Sequence, residues 1–214
     1  MHRRMSSLLL FCCAIAGGVV IDRIAVIVAK HVIKASDIER DLRVTQFLNR
    51  ERVDLSVDAK RKSAERLIDQ AIIRDEIAKG AYAGTGTGDV DAMLMRLRQD
   101  RFGGSASALQ AELSRYGLTE ERLRLQLEWQ LDVLKFIDER FRPGVLVTDE
   151  EVRNYYNQHQ AEWKRQFPQL KTYEAMEPKV RASLEGDRLN QNFEQWLAGA
   201  RTRNRIEYRQ GAFQ

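Results

Sequence analysis

The sequence predicts a mainly α-helical fold with a small β element that pairs an N-terminal strand with a C-terminal strand. Apolar residues recur at helical spacing through most of residues 36–203, and glycine or capping residues separate the periodic segments. Runs typical of strands occur only near the two ends, at residues 19–28 and at residues 205–209, where Ile206 and Tyr208 share one face. Because an isolated strand leaves its backbone groups unsatisfied, we expect these two strands to pair.

The first strand is rich in β-branched residues and is expected to turn at residues 29–31 into Val32 and Ile33. Ser36 is predicted to cap the first helix, which would run over residues 36–49. Glu39 stands three residues after Ser36, and this is the spacing of a capping box.

The later helices have well-marked starts and ends. Their predicted ranges are 56–79, 89–102, 107–116, 119–141, 148–163 and 174–203. Ser107 with Gln110, and Thr148 with Glu151, have capping-box spacing. Most of the helix ends are marked by glycine, which favours the left-handed conformation common just after a helix.

Residues 1–18 are predicted to be a secretory signal peptide. Arginines near the start precede an apolar run at residues 8–16 that is too short to span a bilayer, and small residues follow it. We expect cleavage after Ala16 or Gly18, and therefore a periplasmic protein. An uncleaved anchor or a buried strand is the alternative interpretation of this segment.

The two cysteines, Cys12 and Cys13, lie inside the predicted signal peptide. Lipidation is not favoured, because Phe11 precedes Cys12 where a small residue would be required. The processed chain would have no cysteine, which excludes a disulfide framework and a thiolate metal site.

The charge balance of the predicted mature chain is nearly neutral. Removing Arg3 and Arg4 lowers the formal net charge from +4 to +2, so general affinity for nucleic acid is not expected. Since no other apolar run is long enough to cross a bilayer, stable membrane insertion after cleavage is not expected either.

No catalytic residue, metal site or cofactor is predicted. The glycine-rich segment at residues 84–88 follows a predicted helix rather than a strand and lacks the lysine of a phosphate loop, so a flexible linker is the better interpretation. His2, His31 and His159 are dispersed and cannot form a zinc site by helical spacing. No serine lies in a nucleophile motif.

An adaptable apolar surface is the strongest candidate for function. Methionine side chains can adjust to varied partners, and the helix at residues 119–141 carries an apolar band that is broader than the usual stripe of a surface helix. The predicted client contacts are Met93, Leu94, Met95, Leu97, Phe102, Leu127 and Leu131. The alternative interpretation is that these residues form an ordinary core.

Four stretches of the chain resemble SurA-type periplasmic chaperones. At residues 20–39 a valine-rich strand containing an aspartate turns into a helix begun by Ser-Asp. Residues 109–151 include Tyr-Gly-Leu-Thr before a long helix, and residues 152–159 include a Tyr-Tyr pair. Residues 173–208 resemble the C-terminal return helix and strand of this family, with an Ile-Glu-Tyr end.

The chain departs from that family in the middle. Only residues 164–172 stand where a parvulin prolyl isomerase domain would be inserted, and neither its His-Ile-Leu opening nor its Gly-Gly-Asp-Leu segment is present. The resemblance implies a helical chaperone region at residues 19–163, a short linker at 164–172, and a helix and strand at 173–214 that complete the same domain.

The function implied by the resemblance is an ATP-independent chaperone, or holdase, for unfolded outer-membrane or secreted polypeptides. It would lack isomerase activity and would not be an enzyme. Two alternatives stay open at this point: a dedicated assembly factor for one envelope partner, and a prolyl isomerase with an unrecognised site.

Overall fold

The computed structural model describes residues 22–80, 82 and 84–213. The predicted signal peptide and the first residues of the predicted N-terminal strand lie outside this part of the chain. The elements in chain order are β1 Ile24–Val28, β2 His31–Lys34, α1 Ala35–Asn49, α2 Val57–Lys79, α3 Thr87–Phe102, α4 Ala106–Arg115, α5 Glu120–Phe141, α6 Asp149–Gln158, α7 Gln160–Gln166, α8 Tyr173–Arg203 and β3 Ile206–Tyr208. A 3₁₀ turn, Arg142–Gly144, follows α5. None of the described helices is long and apolar enough to cross a bilayer.

The predicted pairing of the terminal strands is confirmed. The three strands form an antiparallel sheet in the order β2-β1-β3, so β1 lies in the centre. The fold is therefore mainly helical with a small sheet built from both ends of the described chain. Ala29 forms the tight hairpin turn with a φ of 50°, which is the left-handed region that favours glycine.

The predicted cap of α1 is wrong by two residues. Lys34 is the N-cap, and its backbone N–H donates to the Asp37 carboxylate over 3.0 Å. Ser36 lies inside the first turn, where its hydroxyl and backbone N–H both donate to Asp22, and these bonds lower the pKa of Asp22. The helix starts early because β2 runs directly into it, and Asp22, from the segment before β1, satisfies its first turn.

Other predicted boundaries also need correction, and helix α3 begins at Thr87 rather than at residue 89. Helix α4 is capped by Ser105 rather than Ser107, since the Ser105 hydroxyl accepts from the Ala108 backbone N–H. The predicted helix at 148–163 is two helices, α6 and α7, which meet at His159. Residues 164–166 of the predicted linker belong to α7, so the short connection begins at Phe167.

The buried apolar residues form four clusters. One lies between the sheet, α1, α2 and the end of α8, and a second joins α1, α3, α4 and the first half of α5. A third lies among α6, α7 and the first half of α8, and the fourth is an aromatic cluster between α2, α5 and α8. The long helix α8 therefore connects the α6–α7 lobe to the sheet.

Polar contacts fix the end of α8 against α2 and β3. Arg201 pairs with Glu65 and Asp69 of α2. The Tyr208 hydroxyl of β3 donates to Glu65, and partial burial, followed by this bond, raises the pKa of Tyr208 to about 12. The C-terminal strand is thus held by side chains as well as by the sheet.

The hydrogen bonds that stabilise the start of α6 are expected to be lost in acid. Hydrogen bonds from Arg188 and then from Thr148 lower the pKa of Glu151 from 4.5 to about 2. A lowered folded pKa means that this stabilisation is fully present above pH 4.5 and is lost as the pH falls through about 2. Urea unfolding should show a smaller loss of stability between pH 5 and pH 2 in Glu151→Gln than in the natural protein. Glu150→Gln is the matched control, because the Glu150 carboxylate has no hydrogen bond to any described residue; an equal effect of both variants would contradict the assignment.

Candidate functional site

An open groove beside the edge strand β2 is the candidate site, and we call it the β2 groove. It has a volume of about 320 Å³ and is bounded by β2, α1, α2 and α5. Its lining residues are His31, Val32, Ile33, Asp37, Arg40, Asp41, Val44, Leu67, Gln70, Ala71, Arg74, Arg122, Leu125 and Gln126. Helix α5 can reach the sheet region because α1 packs against both α2 and α5.

The backbone of β2 presents a free edge to this groove at one residue. The bonds from the Ala29 N–H to the Arg205 carbonyl and from the Arg209 N–H to the Ala25 carbonyl show that odd-numbered residues of β1 face β3. Even-numbered residues of β1 therefore face β2, and their partners are His31 and Ile33. Val32, between those two, points its N–H and carbonyl away from the sheet.

The groove is apolar at its rim. Val32 is 47% exposed on one side of the groove, and Leu125 is 48% exposed on the other. Ile33 and Val44 are buried in the wall, and Leu67 is half-buried. A ligand that lies across this groove would therefore cover apolar surface on both sides.

The acidic side chains of the groove are occupied within the protein. Asp37 caps α1 and pairs with Arg40. Asp41, which is buried, accepts hydrogen bonds from the Ser63 hydroxyl over 2.7 Å and from Arg66 over 2.6 Å. These carboxylates already have donors and are poorly placed to act on a ligand.

Two arginines of the groove have no carboxylate within salt-bridge distance among the described residues. The Arg74 guanidinium lies 3.9 Å from the centre of the Trp129 ring, a cation–π contact that leaves its N–H groups available. Arg122, at the first turn of α5, is exposed and lines the opposite wall. The groove therefore offers unpaired positive charge beside apolar surface.

The seven predicted client contacts do not form this groove. Leu94 and Leu127 are buried in the cluster formed by α1, α3, α4 and α5, so their side chains offer no surface to a client in this conformation. The residues that pack half-buried against the same cluster are Met93, Leu97, Phe102 and Leu131. Only Met95 is well exposed, at 60%. Client binding at these positions stays a prediction, with Met95 as the accessible side chain.

Sequence reasoning missed the residues that do line the groove. Val32 and Leu125 come from elements 93 residues apart in the chain, so no local pattern joins them. One signal was available for Leu125, because it is out of phase with Leu123 and Leu127, which are buried. Arg74 and Arg122 resemble any other helical surface arginine in sequence.

A second open groove lies between α5 and α8. It has a volume of about 400 Å³ and is lined in part by Leu134, Ile137 and Leu189. Arg142 also lines this groove, but its side chain pairs with Asp138. The second groove offers apolar contact without a free strand edge or an unpaired arginine, so the β2 groove is the stronger candidate.

The remaining chemical motifs do not form a reactive site. Within residues 22–80, 82 and 84–213, no three His, Cys, Asp or Glu side chains come together to hold a metal. In the glycine-rich segment, the Thr85 N–H donates to the Asp132 carboxylate over 3.0 Å, so a carboxylate accepts the bond that a phosphate would need. His31 is 2.7 Å from Asp75 and holds the hairpin against α2.

Comparisons with known proteins leave the family of this chain open. No protein-family model matches the sequence, and no curated protein matches it.

Proposed function

We propose that this protein is an ATP-independent chaperone that binds extended segments of unfolded outer-membrane or secreted polypeptides in the periplasm. The observation that carries the proposal is the β2 groove, which combines a free strand edge, half-exposed apolar rims and available charge. An extended chain offers the same three kinds of contact: backbone groups, apolar side chains and charged side chains. The resemblance to SurA-type chaperones in the sequence supports the same function.

The shape of the groove suits weak and general binding. A shallow open site buries little of any one segment, and each contact contributes only about 25 cal/mol per Å² of apolar surface removed from water. Weak binding at one site permits release without ATP, which the periplasm lacks. The periplasmic location rests on the signal-peptide pattern of residues 1–18.

The exposed apolar side chains favour a general chaperone over a single-partner factor. Besides Val32 and Leu125, they include Met95 on α3, Leu134 late on α5 and Leu146 before α6. These residues are distributed over β2, α3, both halves of α5 and the segment before α6. A dedicated interface is expected to concentrate its apolar residues.

Light scattering of a denatured outer-membrane barrel protein diluted into buffer tests this function. We expect the purified protein to suppress aggregation, with saturation near an equimolar ratio and without ATP. No suppression by a folded, stable protein would contradict general chaperone activity and favour a single-partner assembly factor. A proline isomerisation assay on a short peptide should show no activity.

A matched pair of variants locates the client surface. Leu125→Gln, at the rim of the β2 groove, should raise the protein concentration needed for half-maximal suppression about threefold, because it places a polar group where apolar contact is required. Met95→Gln, at a position on α3 that is 60% exposed and lies outside the groove, should raise that concentration less. If Met95→Gln weakens suppression more than Leu125→Gln does, the client surface lies on α3, where the sequence predicts several client contacts. Circular dichroism should confirm equal helix content in both variants.

A further inference from the structure

We propose that the β2 groove selects extended segments that carry a carboxylate side chain, with the segment added to the Val32 edge of β2 and the carboxylate held by Arg74 and Arg122. This inference rests on the proposed function and names the class of segment that the site prefers. It depends on three features of the groove: its unpaired charge, its strand edge and its apolar rims.

The charge of the groove determines whether acidic or basic segments bind better. Among the titratable residues that line the groove, Asp37 and Asp41 are neutralised by Arg40 and Arg66. Arg74 and Arg122 form no ion pair within salt-bridge distance among the described residues, and Asp132, which acts on Arg74 from a greater distance, does not line the groove, so the lining itself carries excess positive charge. An Asp or Glu side chain would relieve this imbalance, while a Lys or Arg side chain would increase it.

The chemistry of arginine favours a carboxylate in particular. A guanidinium presents several N–H donors in a planar fork that matches the two oxygens of a carboxylate. The Arg74 guanidinium already lies against the Trp129 ring, which restricts its motion and lowers the entropy lost when it binds. Arg122 lines the groove from α5 and Arg74 lines it from α2, so a segment in the groove meets a guanidinium on each of these two walls.

The strand edge sets the conformation of the segment. Along β2, only the N–H and carbonyl of Val32 lack a partner among the described residues, because the next outward N–H, that of Lys34, is bound by Asp37. One residue of the segment can therefore form a pair of backbone hydrogen bonds with β2. A strand edge this short fixes the direction and register of the bound segment but contributes little affinity. The side chains of the segment would therefore decide which segments bind best.

Fluorescence anisotropy of labelled ten-residue peptides tests the inference with the purified protein. The peptides alternate apolar and polar residues and carry either Glu or Gln at one central position. We expect the Glu peptide to bind about tenfold more tightly, as charge-assisted hydrogen bonds imply. The double variant Arg74→Gln with Arg122→Gln should lose this preference. Arg61→Gln with Arg96→Gln, exposed helical arginines away from the groove, should keep it.

A second pair of variants tests the strand edge. Val32→Pro removes the free N–H and should weaken binding of both peptides about fivefold. Val32→Ala keeps the N–H and should weaken it less. Equal binding of the Glu and Gln peptides, or a preference that survives loss of both groove arginines, would overturn the proposal. Sedimentation showing a dimer that dissociates on Arg74→Gln would overturn it too, because a second copy would then be the occupant.

The outcome is separable from that of the proposed function. If the protein suppresses aggregation but shows no arginine-dependent preference, this inference fails and the chaperone function stands. If it prefers the Glu peptide through Arg74 and Arg122 but suppresses no aggregation, the groove is a selective site for one acidic partner, and general chaperone activity fails.

Discussion

Replacing Phe136 with alanine is expected to destabilise the protein by about 3–5 kcal/mol, the usual cost of emptying a large aromatic site in a core. Phe136 is 0% exposed at the centre of the aromatic cluster between α2, α5 and α8. Its ring lies 5.1 Å from that of Tyr82, 5.4 Å from that of Trp196 and 5.9 Å from that of Phe141, all in edge-to-face geometry. Loss of this ring removes three aromatic contacts and leaves a cavity that stiff helices cannot close.

Urea unfolding followed by tryptophan fluorescence measures this effect, since Trp196 is part of the cluster. Leu134→Ala is the control, because Leu134 lies two residues earlier on the same helix and is 60% exposed. The control should change the free energy of unfolding by less than about 0.5 kcal/mol. Similar losses in the two variants would mean that the second half of α5 is not buried as described.

Replacing Glu207 with proline is expected to cost about 3 kcal/mol. The alternation of bonds between β1 and β3 places the Glu207 N–H opposite the Ile27 carbonyl in the middle of the pairing. Proline removes that donor, leaves an inner carbonyl unsatisfied and displaces the strand that joins the two ends of the described chain. Helix α8 would keep its Arg201 contacts, but β1 would lose its neighbour on one side.

Glu207→Ala separates the backbone effect from that of the side chain. It keeps the N–H and removes only the ion pairs with Arg205 and Arg209, which are exposed. Exposed pairs of this kind contribute little, so thermal unfolding should show a shift far smaller than that of the proline variant. Equal shifts in the two variants would show that the side chain, and not the strand pairing, stabilises this end of the chain.

Local signals predicted the helices well because caps and periodicity act within a few residues. The Thr148–Glu151 capping box is complete as predicted, and the helices predicted to start at Ser56 and Thr119 have these residues as their N-caps. One error arose where a distant residue took over the role of a local one. Asp22 supports the first turn of α1 from before β1, so the Ser36–Glu39 pattern was a false capping box.

The burial of α5 shows why its apolar pattern alone was ambiguous. Leu123 and Leu127 are buried against α3 and α4, whereas Trp129 and Phe136 are buried on the opposite face, against α2 and α8. Leu134 continues the first stripe but is exposed, because α3 and α4 cover only the first half of α5. Periodicity identified the apolar face but could not show how far along the helix each neighbour extends.

The sequence by itself determined the helical class, the positions of most helices and the pairing of the terminal strands. Hydrophobic periodicity and helix caps act within a few residues, so the sequence shows them directly. The strands had to pair because the backbone groups of an isolated strand would be left without hydrogen-bond partners. The candidate groove was decided only by tertiary structure. Val32, Arg74 and Leu125 come from three separate elements, and their exposure depends on which side chains the packing of α1, α2 and α5 leaves uncovered. Burial is a property of neighbours, so sequence reasoning left Leu94 and Leu127 open between client contact and core, and the fold places both in a core.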